Sequence, residues 1–350
     1  MNLLYISNTS RVQNPYLDPS VRYRCYNFAE EFIKNGYVAD VISYENFHVK
    51  LLDNYDIFIF HRPPYDKKIF KAIEILNQKA KLYFADYDDL IFNDKHAEIA
   101  PIYKQGIVSL EKCVDIFQRN EKALQLFSNI IVSTNFLKLK VLQSHPSASV
   151  LVLHNALSSN MLNQLKLKNH QKKPSKIKTI SYLSGTASHN SDFSIVEDVL
   201  SELELKYTDK INIVVVGPLE FSKSKFKNII HKRYVEYERL FDFIAQTDIN
   251  IAPLELNDFT NSKSGLKFFE SGVLQVPSVV SPIDDMLRFQ KSNAIAYAST
   301  QKEWFDALER MICDDKYYEE LSHNSFEYVK KYCTVNHTIK VLYKEIERLS

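Results

Sequence analysis

The chain has 350 residues, 44 basic against 43 acidic side chains and 45% hydrophobic residues. That length leaves room for two domains with full cores or for one large one, and the composition excludes disorder as the main state. A net charge of +1 also excludes a bulk electrostatic grip on nucleic acid.

In chain order, short apolar runs rich in β-branched and aromatic residues alternate with helical patterns. Leu3–Ser7 is the first predicted strand. Asp18-Pro19 reads as an N-cap followed by a proline at the first helical position. Val21, Cys25, Phe28, Ala29 and Phe32 then fall on one helical stripe, which Gly36 ends. Further strands are predicted at Val38–Ser43, Ile57–His61, Lys81–Asp86, Asn129–Ser133 and Val150–Leu153. Strands separated by helices imply a parallel sheet covered on both faces, so residues 1–160 read as one βαβ domain. From about Ala156 to Lys178 the periodicity stops. Residues 161–178 carry Lys166, Lys168, Lys172, Lys173, Lys176 and Lys178 and read as a basic, solvated linker. A second series covers 179–334, with strands at Thr179–Leu183, Ile211–Val216, Ile229–His231, Asp248–Ala252, Ser278–Val280 and Ala294–Tyr297. Three helices close the chain: Trp304 to Cys313, Tyr317 to Lys331 and Val335 to Leu349. The last carries an apolar stripe of Val335, Ile339, Leu342 and Ile346, and is expected to pack back on the first domain.

The N-terminus lacks the basic segment and apolar stretch of a signal peptide, and no apolar run approaches the length of a membrane span. The expected location is the cytoplasm, with any membrane contact peripheral. The cysteines Cys25, Cys113, Cys313 and Cys333 are widely spaced with no CxxC, which argues against a zinc site or a disulfide framework.

Glycine is scarce: six in 350 residues, about a quarter of the usual share. Ligands of parallel α/β sheets bind outside the carboxyl ends of strands, and three glycines fall there. Gly185 lies in Ser184-Gly185-Thr186, Gly217 follows Val214-Val215-Val216, and Gly265 lies in Lys263-Ser264-Gly265-Leu266-Lys267. Gly217, beside Pro218, reads as a plain turn. Gly185 and Gly265 read as places where backbone N–H groups can approach a phosphate. If Asn261–Glu270 is helical, Lys263, Lys267 and Glu270 share a face. Lysines near the positive end of a helix oppose its dipole, a conflict that an anionic ligand would relieve.

These residues resemble a known family. Ser181-Tyr182-Leu183-Ser184-Gly185-Thr186 with His189 and Asp192-Phe193 is similar to the loop that opens the donor domain of glycosyltransferase family 4-like enzymes. Asp248–Leu254, Lys263–Glu270 and Val276-Pro277 resemble their nucleotide-sugar segment. In the first half, Tyr23-Arg24, Asp56 to Arg62 and Asp86-Tyr87-Asp88-Asp89-Leu90 look like acceptor-domain motifs of enzymes of bacterial surface polysaccharide synthesis, such as O-antigen and capsule. The resemblance implies a GT-B fold: two Rossmann-like domains with a cleft between them. It implies a hexosyltransferase-type enzyme, with a nucleotide-diphosphate sugar as donor and a glycan or lipid-linked glycan as acceptor. The donor would be a substrate rather than a cofactor, with no metal needed. Ser184, Gly185, Thr186, His189, Lys263, Ser264, Gly265, Leu266, Lys267 and Glu270 would bind it, with Glu270 holding the ribose. The first glutamate of the family's usual pair would fall at Ser262, which is not acidic.

Asp86, Asp88 and Asp89 read either as a capping or surface turn, as ligands for a divalent cation, or as catalytic or acceptor-binding carboxylates. The resemblance argues against the cation, since enzymes of this fold generally use helix N-termini and basic side chains in its place, and Asp86 and Asp88 are expected to be catalytic. Arg22, Arg24 and Arg62 are expected to bind a phosphate of the acceptor or of the donor, or to form surface ion pairs. Two other readings stand beside the transferase: a sugar-nucleotide epimerase of the same fold, and a non-catalytic subunit that binds nucleotide or glycan. The absence of a GxGxxG after any strand argues against an NAD-dependent dehydrogenase.

Overall fold

The computed structural model describes residues 1–168, 177–185 and 190–349. The chain divides into two compact units, each built on a six-stranded parallel sheet. Unit 1 comprises Met1–Leu162, Asn261–Ser264 and Thr334–Ser350, and unit 2 comprises Asn163–Thr260 and Gly265–Cys333.

Unit 1 contains β1 (Asn2–Ser7), β2 (Val38–Ser43), β3 (Ile57–His61), β4 (Leu82–Tyr87), β5 (Asn129–Val132) and β6 (Ser149–Val152), in the order β2-β1-β3-β4-β5-β6. Strand order reverses between β1 and β3. At such a switch point the flanking connections leave to opposite faces and open a crevice at the carboxyl ends of the strands. Central β1 and β3 are buried along almost their whole length, so they read as continuous apolar runs rather than alternating ones. The register sets Ser7 beside His61 and His61 beside Asp86, which lines up polar residues at the carboxyl ends of three strands.

The first helix starts at Pro19, where the Asp18 side chain accepts from Ser20 N at 3.0 Å. It is not a plain α-helix. Arg22–Tyr26 forms a π-helical insertion before the α-helix resumes over Asn27–Lys34. Such insertions recur at functional sites, and nothing in the residue spacing announces this one.

The C-terminal segment joins the core of unit 1. Thr334 bridges to Leu157, and Val335, Ile339, Leu342 and Ile346 are buried with Leu3, Tyr5, Phe28 and Phe32. The predicted single helix is two, Val335–Thr338 and Lys340–Leu349. The predicted linker also differs: Ser159–Lys168 is helical, started by Ser158 Oγ accepting from Met161 N at 3.2 Å. Its few apolar residues hid that helix from periodicity. The rest of the lysine-rich stretch, from 169 to 176, lies outside the described residues.

Unit 2 contains β7 (Lys178–Leu183), β8 (Ile211–Val216), β9 (Ile230–Lys232), β10 (Ile249–Ala252), β11 (Ser278–Val280) and β12 (Ala296–Tyr297), in the order β12-β11-β10-β7-β8-β9. Its switch point is between β7 and β10. The helix Gln301–Cys313 begins with a capping box, in which Thr300 and Glu303 satisfy each other's backbone N–H groups. Its Trp304, Leu308 and Met311 pack on Ile180, Ile213 and Val279 in the core beneath the sheet. Among the described residues no helix is long and apolar enough to cross a membrane.

Candidate functional site

In unit 1, a polar network occupies the carboxyl ends of β1, β3 and β4. His61 is buried. Its Nδ1 lies 2.9 Å from Ser7 Oγ, and its Nε2 lies 2.9 Å from Ser20 Oγ and 3.2 Å from Asp88 Oδ1. Ser20 Oγ also donates to Asp88. Arg62 follows directly, with a backbone φ of 49°, a left-handed conformation unusual for a residue with a long side chain. That turn delivers its guanidinium to two carboxylates: Nε donates to Asp88 at 2.7 Å and an Nη to Asp89 at 2.8 Å. Lys263 Nζ reaches the other oxygen of Asp89 at 3.3 Å. Burial works against ionisation of Asp88, but Arg62 and His61 outweigh it and hold its carboxyl well below the usual range. Burial likewise opposes the charge on Arg62, and Asp88 and Asp89 more than restore it.

Arg24 and Asp86 form a separate, deeper pair. Arg24 Nε lies 3.1 Å from both oxygens of Asp86, and an Nη lies 2.7 Å from one of them. The other Nη donates to Leu153 O at 2.6 Å and Asn155 Oδ1 at 2.9 Å. Both side chains are almost wholly shielded, at 0% and 2% exposure, so neither meets solvent. Arg22 is also buried and lies over the Tyr16 ring, 4.9 Å from its centroid. The three arginines and three aspartates singled out from the sequence are therefore all in unit 1, at two depths: Arg62, Asp88 and Asp89 near the surface, and Arg22, Arg24 and Asp86 inside. Among the described residues no group of three or more His, Cys, Asp or Glu side chains is placed to hold a metal ion.

The segment carrying Lys263 and Ser264 departs from the sequence expectation. It is not helical: the helix spans only Leu266–Gly272, with Gly265 at its N-cap. Lys263 thus does not share a helical face with Lys267 and Glu270. Nor does the segment belong to the second unit, since Asn261–Ser264 packs in unit 1. Thr134 Oγ1 donates to Ser262 O at 3.2 Å, and Asn155 Nδ2 donates to Ser264 Oγ at 2.9 Å. Ser262, at the position of the missing glutamate, is fully buried.

In unit 2, the Gly265 N–H is already taken by Asp285 Oδ2 at 2.7 Å. A Cβ on Gly265 would stand 2.9 Å from the Phe289 ring, so packing alone demands a glycine there. Gly185 is exposed, and a Cβ on it would meet nothing within 4 Å. Gly217 is the constrained one. Its φ is 131°, and an added Cβ would lie 2.5 Å from Ser184 O, so it lets the turns after β7 and β8 touch. Lys267 extends over the Tyr182 ring, 4.5 Å from its centroid, which places its ammonium near the carboxyl end of β7. Its carbonyl accepts from Asn250 Nδ2 at 3.2 Å, tying the helix to β10. Glu270 is half-buried one turn on from Lys267, and Leu266 is half-buried at the helix start. Asp192 accepts from Glu255 N at 2.9 Å and so holds the loop after β10. Thr186 and His189 lie outside the described residues.

No family model matches the chain, and no curated protein matches its sequence. Its backbone does match solved structures over full length. The sucrose-phosphate synthase of Thermosynechococcus elongatus superposes with a TM-score of 0.68 at 11% identity, covering 100% of both chains. The fold is GT-B. An alpha-glucosyltransferase solved with UDP-glucose and DNA containing an abasic site shares this GT-B fold, with a TM-score of 0.64, 13% identity and coverage of 99% of this chain and 98% of that one. So does the UDP-GlcNAc 2-epimerase of Neisseria meningitidis bound to UDP-GlcNAc, with a TM-score of 0.54, 14% identity and coverage of 99% and 100%.

His61 carries no distinguishing mark in the sequence, yet it sits at the centre of the unit 1 network. The signal that could have found it is positional: it is the last residue of a strand flanking the switch point, with an arginine next to it.

Proposed function

We propose that this protein is a glycosyltransferase. It would move a sugar from a nucleotide-diphosphate sugar to a glycan or lipid-linked glycan acceptor in bacterial surface polysaccharide synthesis. The observation that carries the reading is full-length agreement with the GT-B fold of a sucrose-phosphate synthase and of an alpha-glucosyltransferase solved with UDP-glucose. Unit 2 supplies donor-side chemistry. Lys267 offers positive charge at the carboxyl end of β7, where it would stabilise the nucleoside diphosphate as it leaves and the anomeric carbon becomes cation-like. Glu270 would accept hydrogen bonds from the two ribose hydroxyls.

Unit 1 supplies acceptor-side chemistry. A carboxylate held ionised by Arg62 and His61 is a weak proton acceptor but a good hydrogen-bond acceptor, so Asp88 would orient an acceptor hydroxyl rather than deprotonate it outright. Asp86 and Arg24, shut away from solvent, would position the strand ends without touching substrate. No metal is part of this scheme.

The epimerase reading is kept because a full-length structural match is a UDP-GlcNAc 2-epimerase. Both readings need a nucleotide site, and the acceptor separates them. An epimerase turns over a sugar nucleotide alone, whereas a transferase releases nucleoside diphosphate only as sugar appears on an acceptor.

Calorimetric titration with UDP and with uridine tests the shared donor site. Glu270→Ala should weaken both by roughly ten- to hundred-fold, the worth of a charge-assisted hydrogen bond of about 1.5–3 kcal/mol. Lys267→Ala should weaken UDP alone, and more at low salt. Absence of binding to any nucleoside diphosphate would sink the reading. Unchanged uridine affinity in a folded Glu270→Ala protein would remove the ribose role.

A further inference from the structure

Tyr182 lies near the carboxyl end of β7, one of the two strands that flank the switch point of unit 2. Its side chain is 1% exposed, and its ring lies 5.3 Å from that of Phe193 in the core of the unit. Among the described residues the Tyr182 hydroxyl makes no hydrogen bond. Burial, reinforced by Asp192, pushes that hydroxyl well above its ordinary pKa, so it stays neutral and gives Lys267 no counter-charge. What Tyr182 presents to Lys267 is the face of its ring, with the ammonium 4.5 Å from the centroid. At that distance the negative face of the ring attracts a cation, and more strongly where water is excluded.

The other end of Lys267 is also fixed. Its carbonyl accepts from Ser271 Oγ at 2.9 Å as well as from Asn250 Nδ2, and Asn250 Nδ2 lies 2.9 Å from Ser278 Oγ. The backbone of Lys267 is thus tied to β10 and β11, while its ammonium rests on a side chain of β7. A lysine held at both ends differs from a mobile one in what a ligand must spend on it. Ordering a rotamer-rich side chain on binding costs about two- to tenfold in affinity, and a side chain already in place avoids that cost.

We propose that Tyr182 is a positioning residue of the donor site: its ring holds the Lys267 ammonium, before any ligand arrives, where a phosphate of the nucleoside diphosphate binds. Tyr182 acts through Lys267 and touches neither the nucleoside nor the reacting atoms. This role rests on the donor reading of Lys267. It also has an opposite: a ring that competed with phosphate for the ammonium would weaken binding, and its removal would tighten it.

The test is a double-mutant cycle read by calorimetric titration with UDP and with uridine. It compares wild type, Tyr182→Leu, Lys267→Ala and the double variant, with Tyr182→Phe as the conservative control. Tyr182→Leu should weaken UDP about two- to tenfold and leave uridine unchanged, because uridine carries no phosphate. In the Lys267→Ala background the same change should have no further effect on UDP, an outcome that a merely structural role would not give. Tyr182→Phe keeps the ring and should bind both ligands like wild type. Thermal midpoints check folding. Because leucine in place of a core tyrosine leaves a void, pentafluorophenylalanine placed at position 182 gives a second route. It keeps a ring of similar size but reverses the sign of its face, so it should weaken UDP against Tyr182→Phe by the same two- to tenfold. The role of Tyr182 alone is overturned if Lys267→Ala weakens UDP but Tyr182→Leu or the fluorinated ring leaves it unchanged or tighter. It is equally overturned if uridine weakens with UDP, or if the Tyr182→Leu effect persists without Lys267. UDP binding that ignores Lys267→Ala, or is absent from wild type, overturns the donor reading and this role with it.

Discussion

The buried Arg24–Asp86 pair gives the sharpest test of how unit 1 is held together. Asp86→Ala removes the carboxylate that, alone among the described residues, contacts a guanidinium fully shielded from water. Taking one partner from a buried pair costs about 3–5 kcal/mol, because the remaining charge is left uncompensated. Arg24 keeps two acceptors, Leu153 O and Asn155 Oδ1, but both are neutral and cannot replace the lost charge. At about 2–4 °C per kcal/mol for a unit of this size, the thermal midpoint should fall by about 6–20 °C. Arg24→Met should cost a comparable amount, since it strands Asp86 and leaves two acceptors without a donor. The double variant Arg24→Met/Asp86→Leu removes both charges. It should be no less stable than the worse single variant, so the two costs should fall well short of adding. The measurement is thermal and urea unfolding followed by far-UV circular dichroism at neutral pH. A midpoint shift under about 3 °C for Asp86→Ala, or costs that simply sum in the double variant, would refute the reasoning.

Two further outcomes follow from other residues. Gly217→Ala should lose about 1–3 kcal/mol or more in a chemical unfolding series, because its φ of 131° and the nearby Ser184 carbonyl both reject a Cβ; Gly185→Ala should stay within about 1 kcal/mol of wild type. Asp88 titrates lower in the folded protein than in the unfolded chain, so the stability it contributes is complete above about pH 4 and is lost as pH falls through the lower folded value. The stability gap between wild type and Asp88→Asn should therefore hold from pH 7 to about pH 4 and close below it; a gap that already closes near pH 6 would contradict the assignment to Asp88.

Much of the architecture was legible because it is local. The strands Val38–Ser43, Ile57–His61, Ile211–Val216 and Ser278–Val280 stand at their predicted bounds, since a run of β-branched and aromatic residues between turn signals is a property of a few neighbouring positions. The Asp18-Pro19 cap is equally local: a side-chain oxygen accepting from an N–H two residues on. The sequence by itself therefore determined two parallel α/β series and the rims on which ligands would be sought. Tertiary structure decided what those rims hold. Arg24 and Asp86 are 62 positions apart, and Ser7 and His61 are 54 apart, so no spacing rule could pair them. The Lys263 segment looked helical because its residues repeat at helical spacing. Thr134 and Asn155 of unit 1 hold it instead, and the Gly265 N–H is satisfied by Asp285, so the helix begins only at Leu266. Periodicity records which faces of an element are apolar. The partner of a buried charge or a strained turn is fixed only when distant strands bring their carboxyl ends to one edge of a sheet, where low dielectric makes an unpaired group too costly to keep.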